Sequence, residues 1–273
     1  MLFRSVIAIA NQKGGVGKTM TTLSLGAALA SRDKKVLLID LDSQGSLSIS
    51  CGIDSPDTEK DTISNIIISE IGNKPYDASS YAVHHIKDNL DLIPGNISLA
   101  AIDVNLSAIQ NREAYLKRYI SKVSSLYDYI LIDCMPSLGF LTINALTSAD
   151  SVLIPMQAHY LAVKGLVQLI KSINMTKQSY NPSLSIEGIV FTMVDERTNI
   201  VKDTEKAVIE QYGSYVHVFS SHIPFSVKAV ESTTEGVPVF DYAPKSKLAL
   251  AYSSLADEVI EYDSDITIEG GLR

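Results

Sequence analysis

Val6-Ile7-Ala8-Ile9-Ala10-Asn11-Gln12-Lys13-Gly14-Gly15-Val16-Gly17-Lys18-Thr19 decides how the chain folds. The run from Val6 to Ala10 is short, apolar and partly β-branched, the pattern of a strand buried on both faces of a parallel sheet. Glycines at 14, 15 and 17 then let backbone N–H groups approach an anion with no Cβ in the way. A helix expected from about Lys18 to Ser31 turns its N-terminal partial positive charge toward the same point. Strand, glycine turn and helix start form a cradle for the phosphates of a nucleotide. Lys18 reaches β- and γ-phosphates, and the Thr19 hydroxyl is a ligand for Mg²⁺. The strict form of this loop wants glycine at position 12, where Gln12 stands; in its place Lys13 brings a second lysine, the deviant Walker A form. ATP and Mg²⁺ are the expected cofactors, contacted by Lys13, Gly14, Gly15, Val16, Gly17, Lys18, Thr19 and Met20.

Outward from this loop, apolar runs alternate with helical stretches. Val36 to Ile39, Leu90 to Pro94, Tyr129 to Asp133, Ser151 to Pro155 and Ile186 to Val194 read as strands, with a further short one at Val216 to Phe219. Helices are expected near 62–71, across 98–126, and at 161–178, 200–212, 226–235 and 246–261. The alternation predicts an α/β fold: a doubly wound, mostly parallel sheet flanked by helices. One domain is expected over residues 1–262, followed by a polar, frayed tail at 263–273. In such sheets ligands gather at the carboxyl ends of the strands. The Lys13 loop, Asp42, Asp133, Pro155, Asp195 and Pro224 all follow strands and should converge there.

Three carboxylates carry the hydrolytic reading. Asp133 closes an apolar strand and would hold Mg²⁺ through water. Asp40 and Asp42 end the second strand; Asp42 is the candidate to orient the attacking water, and Asp40 lies nearer the metal. The five histidines lack metal-ligand spacing, and the two cysteines, Cys51 and Cys134, form no metal or redox motif. With 46% apolar and 20% charged residues the chain is globular, and no apolar run approaches a membrane span. The cysteine usage and the lack of a signal peptide pattern point to the cytoplasm. A net charge of −8 repels nucleic acid and anionic lipid alike, so any contact with DNA needs a local basic patch.

In order along the chain stand Lys13 to Thr19, Asp40-Leu41-Asp42-Ser43-Gln44-Gly45, Ile132 to Gly139, Leu141 to Leu146, Ile154-Pro155-Met156-Gln157 and Thr192 to Asn199. Together they resemble the ParA family of partition ATPases, of the Soj-like kind, over roughly residues 5 to 260. The resemblance implies an ATP-dependent sandwich homodimer in which Lys13 of each subunit reaches the other's phosphates. It implies that this dimer binds DNA without sequence preference on the nucleoid. A ParB-type partner would stimulate hydrolysis, so that plasmid, chromosome or mobile-element DNA is segregated or positioned. It places catalysis on Lys13, Lys18 and Asp42, dimer closure on Gly14, the adenine against Met193 and Pro224, and DNA contacts at Arg197 and Lys228. Lys202, Lys206, Lys245 and Lys247 lie in the same C-terminal third and complete the candidate DNA patch. Dimerisation would double these few contacts, so binding should depend on ATP and on salt.

The chain departs from the family pattern at several places. Met135 stands where proline is usual, Phe225 where arginine is common, and His159 and Lys164 replace acidic residues. No segment before the first strand provides an operator-reading domain, so sequence-specific DNA binding is not expected. A positioning ATPase resembling MinD is the alternative, but it asks for a basic amphipathic C-terminal helix, and the chain ends with acidic residues at 263, 265 and 269.

Overall fold

Strand β1 (Ser5–Ile9) lies inside an eight-stranded sheet and hands the chain to α1 (Lys18–Ala30) through the glycine loop. The chain continues through β2 (Val36–Leu41), α2 (Ser46–Ser50), α3 (Ile63–Ile71), β3 (His84–Lys87), β4 (Leu90–Ile93), α4 (Ser98–Leu106) and α5 (Tyr115–Val123). Then come β5 (Tyr129–Cys134), α6 (Phe140–Ser148), β6 (Ser151–Gln157), α7 (Tyr160–Ser179), β7 (Ser185–Val194) and α8 (Asn199–Tyr212). Strand β8 (Val218–Pro224) and helices α9 (Val227–Thr234), α10 (Val239–Tyr242) and α11 (Lys247–Gly270) finish the fold. This computed structural model describes residues 5–195, 197, 199–214 and 216–270, and only the backbone of 160–164, 199 and 265–270.

The strand order is β3-β4-β2-β5-β1-β6-β7-β8. Every neighbouring pair is parallel except β3 with β4. From β1 the chain first builds one wing of the sheet and returns at β5, then crosses β1 to build the other wing from β6. The crossing makes the carboxyl end of β1 a switch point, where the crevice for a ligand opens.

Period-two side-chain alternation splits the core. Val6, Ala8 and Ala10 join Leu37, Ile39, Ile130 and Ile132 against α3 to α8 on one face. Ile7 and Ile9 join Val36, Leu38 and Leu131 against α1, α2, α10 and α11 on the other. Helix α1 sits so close to the sheet that a Cβ on Gly26 would lie 2.6 Å from a Leu38 methyl.

The doubly wound, mostly parallel sheet expected from the alternation is the one observed. Its details differ. Strand β8 runs Val218–Pro224 rather than 216–219, which brings Pro224 to the strand's own end. Helices α2 and α6 and edge strand β3 were not foreseen. The tail expected to fray from residue 263 is helical as far as Gly270, because Tyr262 stacks on His217 and Asp263 is buried. Residues 271–273 lie outside the described residues.

Candidate nucleotide site

The glycine loop turns on two residues in the left-handed region, Gly15 at φ 70° and Gly17 at φ 85°, and Gly17 caps α1. Side chains would strain both positions. Three side chains fix the loop with four hydrogen bonds. Asn11 Nδ2 donates to Pro155 O (2.8 Å), while its Oδ1 accepts from Lys13 N (3.0 Å). Thr192 Oγ1 donates to Val16 O (2.8 Å), and Gln157 Nε2 donates to Gly15 O (3.0 Å). With its carbonyls held this way and the Lys13 N–H engaged by Asn11, the loop can turn N–H groups of its glycines toward an anion.

Lys18 is buried with its ammonium folded over the loop, donating to Lys13 O (3.2 Å). Burial lowers its pKa, and the neighbouring Asp133, Cys134 and Asp42 oppose that. Lys13 points elsewhere. Its Nζ lies 2.5 Å from His159 Nε2, just beyond β6.

The carboxylates divide by their hydrogen bonds. Asp40 Oδ2 accepts from Ser48 N (2.8 Å) and Ser48 Oγ (2.7 Å), and Oδ1 accepts from Asp42 N (3.2 Å). The Asp40 carboxylate therefore organises the loop from 42 to 48, rather than lying open to a metal as expected. Burial pushes it up to about 6, with the Ser48 bonds resisting. Asp133 Oδ1 accepts from Thr22 Oγ1 at 3.4 Å, but its buried Oδ2 has no hydrogen-bond partner. Burial, then Asp40, push Asp133 up to about 8, against the Thr19 hydroxyl and the Lys18 charge. An orphaned carboxylate oxygen next to a threonine hydroxyl and a lysine suits a small hard cation. Asp42, half-exposed, accepts from Gln44 N (3.0 Å).

A cavity of about 440 Å³ joins these parts, lined by Gly14, Lys18, Thr19, Asp42, Pro136 and Met193 among others. Beside it is a slot of about 110 Å³ with Met20, Met193, Pro224, Phe225, Val230 and Tyr252 in its walls, apolar enough for a flat base. Met193 has φ 54°, a left-handed angle that a methionine rarely adopts, at the wall shared by both cavities. Strained residues of this kind cluster at ligand sites.

Residues 4–186 match the AAA domain family. The chain is 42% identical over 256 residues to the sporulation initiation inhibitor protein Soj of Bacillus subtilis, covering 93% of this chain and 97% of that protein. The chain belongs to the ParA family of partition ATPases. Another relative, the chromosome-partitioning ATPase Soj of Treponema pallidum, is 39% identical, with 94% and 97% covered. Among solved structures, the Mycobacterium smegmatis cobyrinic acid a,c-diamide synthase with bound ADP and magnesium superposes with a TM-score of 0.81 at 35% identity, over 95% of each chain. The Pyrococcus furiosus cell division ATPase MinD superposes with a TM-score of 0.73 at 25% identity, over 96% of this chain and 99% of that one.

In this ParA-family chain the loop residues, Asp42, Met193 and Pro224 converge on one sheet edge. The expected DNA-contact residues are more scattered. Arg197 and Lys247 line one depression of about 660 Å³ with Met193, His222, Phe225 and Leu250. Arg197 is ion-paired with Asp195 (2.6 Å) and holds that carboxyl down at about 2. Lys228, at the start of α9, pairs with Glu231 (2.6 Å), and Lys206 with Glu210 (3.8 Å). Lys202 and Lys245 are exposed. Glu196 and Thr198 of the quoted motif lie outside the described residues, as does the Lys164 side chain. Reading the sequence missed the role of Ser48, which holds Asp40, and of Gln157, which braces the loop. Neither belongs to a motif whose spacing discloses the contact.

Proposed function

We propose that the chain is a partition ATPase that binds Mg²⁺–ATP, closes into a sandwich dimer around two nucleotides, and in that state binds DNA without sequence preference. A ParB-type partner would stimulate hydrolysis and release. Lys18, the loop amides and α1 would hold the triphosphate, with the adenine between Met193 and Pro224. Thr19 and, through water, Asp133 would hold Mg²⁺, which supplies charge neutralisation on the phosphates when bound. Asp42 would orient the attacking water, its carboxylate steadied by Gln44 N.

The observation that carries the dimer is Gly14. Unlike Gly15 and Gly17 it has no left-handed backbone angle, and a Cβ placed on it would meet nothing within 4 Å. Nothing within one subunit requires glycine there, which supports a role for that position at a second subunit. Lys13, exposed and directed to His159 rather than over the loop, supports the same reading as the deviant lysine of the loop.

Gly14→Val should keep ADP affinity within about threefold yet remain monomeric with a non-hydrolysable ATP analogue, by light scattering. A normal ATP-dependent dimer in that variant would sink the reading. DNA contact is tested separately: the Arg197→Ala, Lys228→Ala variant should lose ATP-dependent filter binding at low salt. The MinD-like alternative predicts liposome pelleting. Among the described residues no helix is long and apolar enough to cross a membrane, and α11 exposes Asp257 and Glu261.

A further inference from the structure

The exit of β6 is strapped to the phosphate loop by alternate residues. Pro155 accepts from Asn11, Gln157 donates to Gly15, and His159 meets Lys13. His159 N donates to Gln157 O (3.0 Å), a tight turn that brings the ring back over the loop. The Lys13 ammonium has donors only, so at 2.5 Å the imidazole Nε2 must accept, and the ring proton must sit on Nδ1. Partial burial, then Lys13 itself, lower the His159 pKa, which keeps the lone pair available. We propose that His159 is a positioning residue that parks the Lys13 side chain on its own subunit until a triphosphate and a second copy draw it away.

The inference rests on the reading of Lys13 as the lysine that crosses between subunits. Its content is the chemistry of the hold. A carboxylate at position 159 would pair with the ammonium charge to charge, adding the attraction of a second full charge to the hydrogen bond. A neutral imidazole holds more weakly, so less of the nucleotide's binding energy is spent on release. His159 thereby sets the ATP threshold for dimerisation rather than taking part in hydrolysis. The same strap joins the parked lysine to the base slot, because Gln157 Nε2 also contacts Met193 Sδ at 2.9 Å.

The test measures the dimer dissociation constant of the full chain with a non-hydrolysable ATP analogue, by sedimentation, with ADP affinity measured alongside. One partly exposed hydrogen bond of about 1 kcal/mol corresponds to about fivefold. Both subunits must release their lysines, so His159→Ala should tighten the dimer by about fivefold to 25-fold. His159→Gln, which retains a neutral acceptor, should return the parent value. His159→Glu should dimerise more weakly than the parent. An unchanged or weaker dimer in His159→Ala, with ADP affinity intact, overturns the proposal. Should that variant lose ADP binding, the Gln and Glu variants decide: equal dimerisation of the two overturns it. Lys13→Ala tells the two readings apart. If it dimerises like the parent, Lys13 does not cross between subunits, and the parking role falls with that reading.

Discussion

Two pairs of buried acids lie at opposite edges of the same sheet. At the carboxyl edge Asp40 and Asp133 face the glycine loop. At the amino edge Glu187 of β7 and Asp263 of α11 meet beside Tyr129 and Ser151. Burial raises all four, to about 6 and 8 in the first pair and to about 8 and 7 in the second. The surroundings differ. Lys18 pulls Asp133 toward ionisation and Ser48 does the same for Asp40. Glu187 has only the Ser151 hydroxyl on its side, with Asp263 and Asp150 against it. The Lys18 charge favours ionisation in the first pair; burial favours the protonated form in the second. Asp133 and Glu187 each keep a carboxylate oxygen without a hydrogen-bond partner, so what separates the two edges is the lysine beside Asp133.

The sharpest way to break the comparison is at Asp133. Asp133→Asn should lower ATP turnover by about 100-fold or more and abolish its dependence on Mg²⁺, read by phosphate release. The same substitution should leave the nucleotide-free protein as stable as the parent at pH 8, or more so, because it removes a buried group that resists ionising. Equal Mg²⁺ dependence in parent and variant would mean that the orphaned oxygen is not a metal site.

The second test is at the other edge. A folded-state pKa above the unfolded one gives stability that is complete below the unfolded value, near 4, and is lost as pH rises through the folded value. For Glu187 and Asp263 the loss falls between about pH 5 and 8, from the directions and values above. Glu187→Gln should therefore be near neutral at pH 5 and stabilising by about 2 kcal/mol at pH 8, less than a full shift because the two acids titrate together. The melting temperature at pH 8 would rise by roughly 4–8 °C, with ATP turnover unchanged. A loss of turnover would join the two edges and end the contrast between them.

The smallest effect is expected at Ser48. Ser48→Ala removes a hydroxyl that bonds both Asp40 and Gly95 N. It should cost about 1–2 kcal/mol in urea unfolding and raise the Asp40 carboxyl above its present value of about 6, as seen by carbon NMR titration. Asp40 would then behave more like Glu187.

Much of this could be read from the chain. The run from Val6 to Thr19 disclosed a strand, a phosphate cradle and a helix because each depends on near neighbours. Strand-ending Asp40 and Asp133 came together because β2 and β5 are adjacent and in register, Asp40 opposite Asp133. What stayed hidden depends on distant partners. Helix α2 (Ser46–Ser50) is a short run of three serines with Leu47 and Ile49, and is held by Asp40 accepting from Ser48 N. Strand β3 exists only by pairing with β4. Glu187 reads as a charged interruption in an apolar strand. A register shift opposite Val152 and Leu153 leaves it as the extra residue of a bulge, which re-aims it inward. His159 and Lys13 are 146 residues apart, and no periodicity links them.

The clasp between α1 and α11 has a mechanical consequence. Near its start α1 is bonded to α11 through Thr21 and Tyr252 (3.1 Å), and at its end Arg32 grips Asp257 (2.6 Å) and the Ser253 carbonyl (2.7 Å). A rod fixed at both ends to a second rod transmits tilt without bending. A shift of α1 on a triphosphate would therefore load α11, whose far end is braced where Tyr262 stacks on His217 and Asp263 is buried. The two helices form a stiff brace between the phosphate loop and the opposite edge of the sheet.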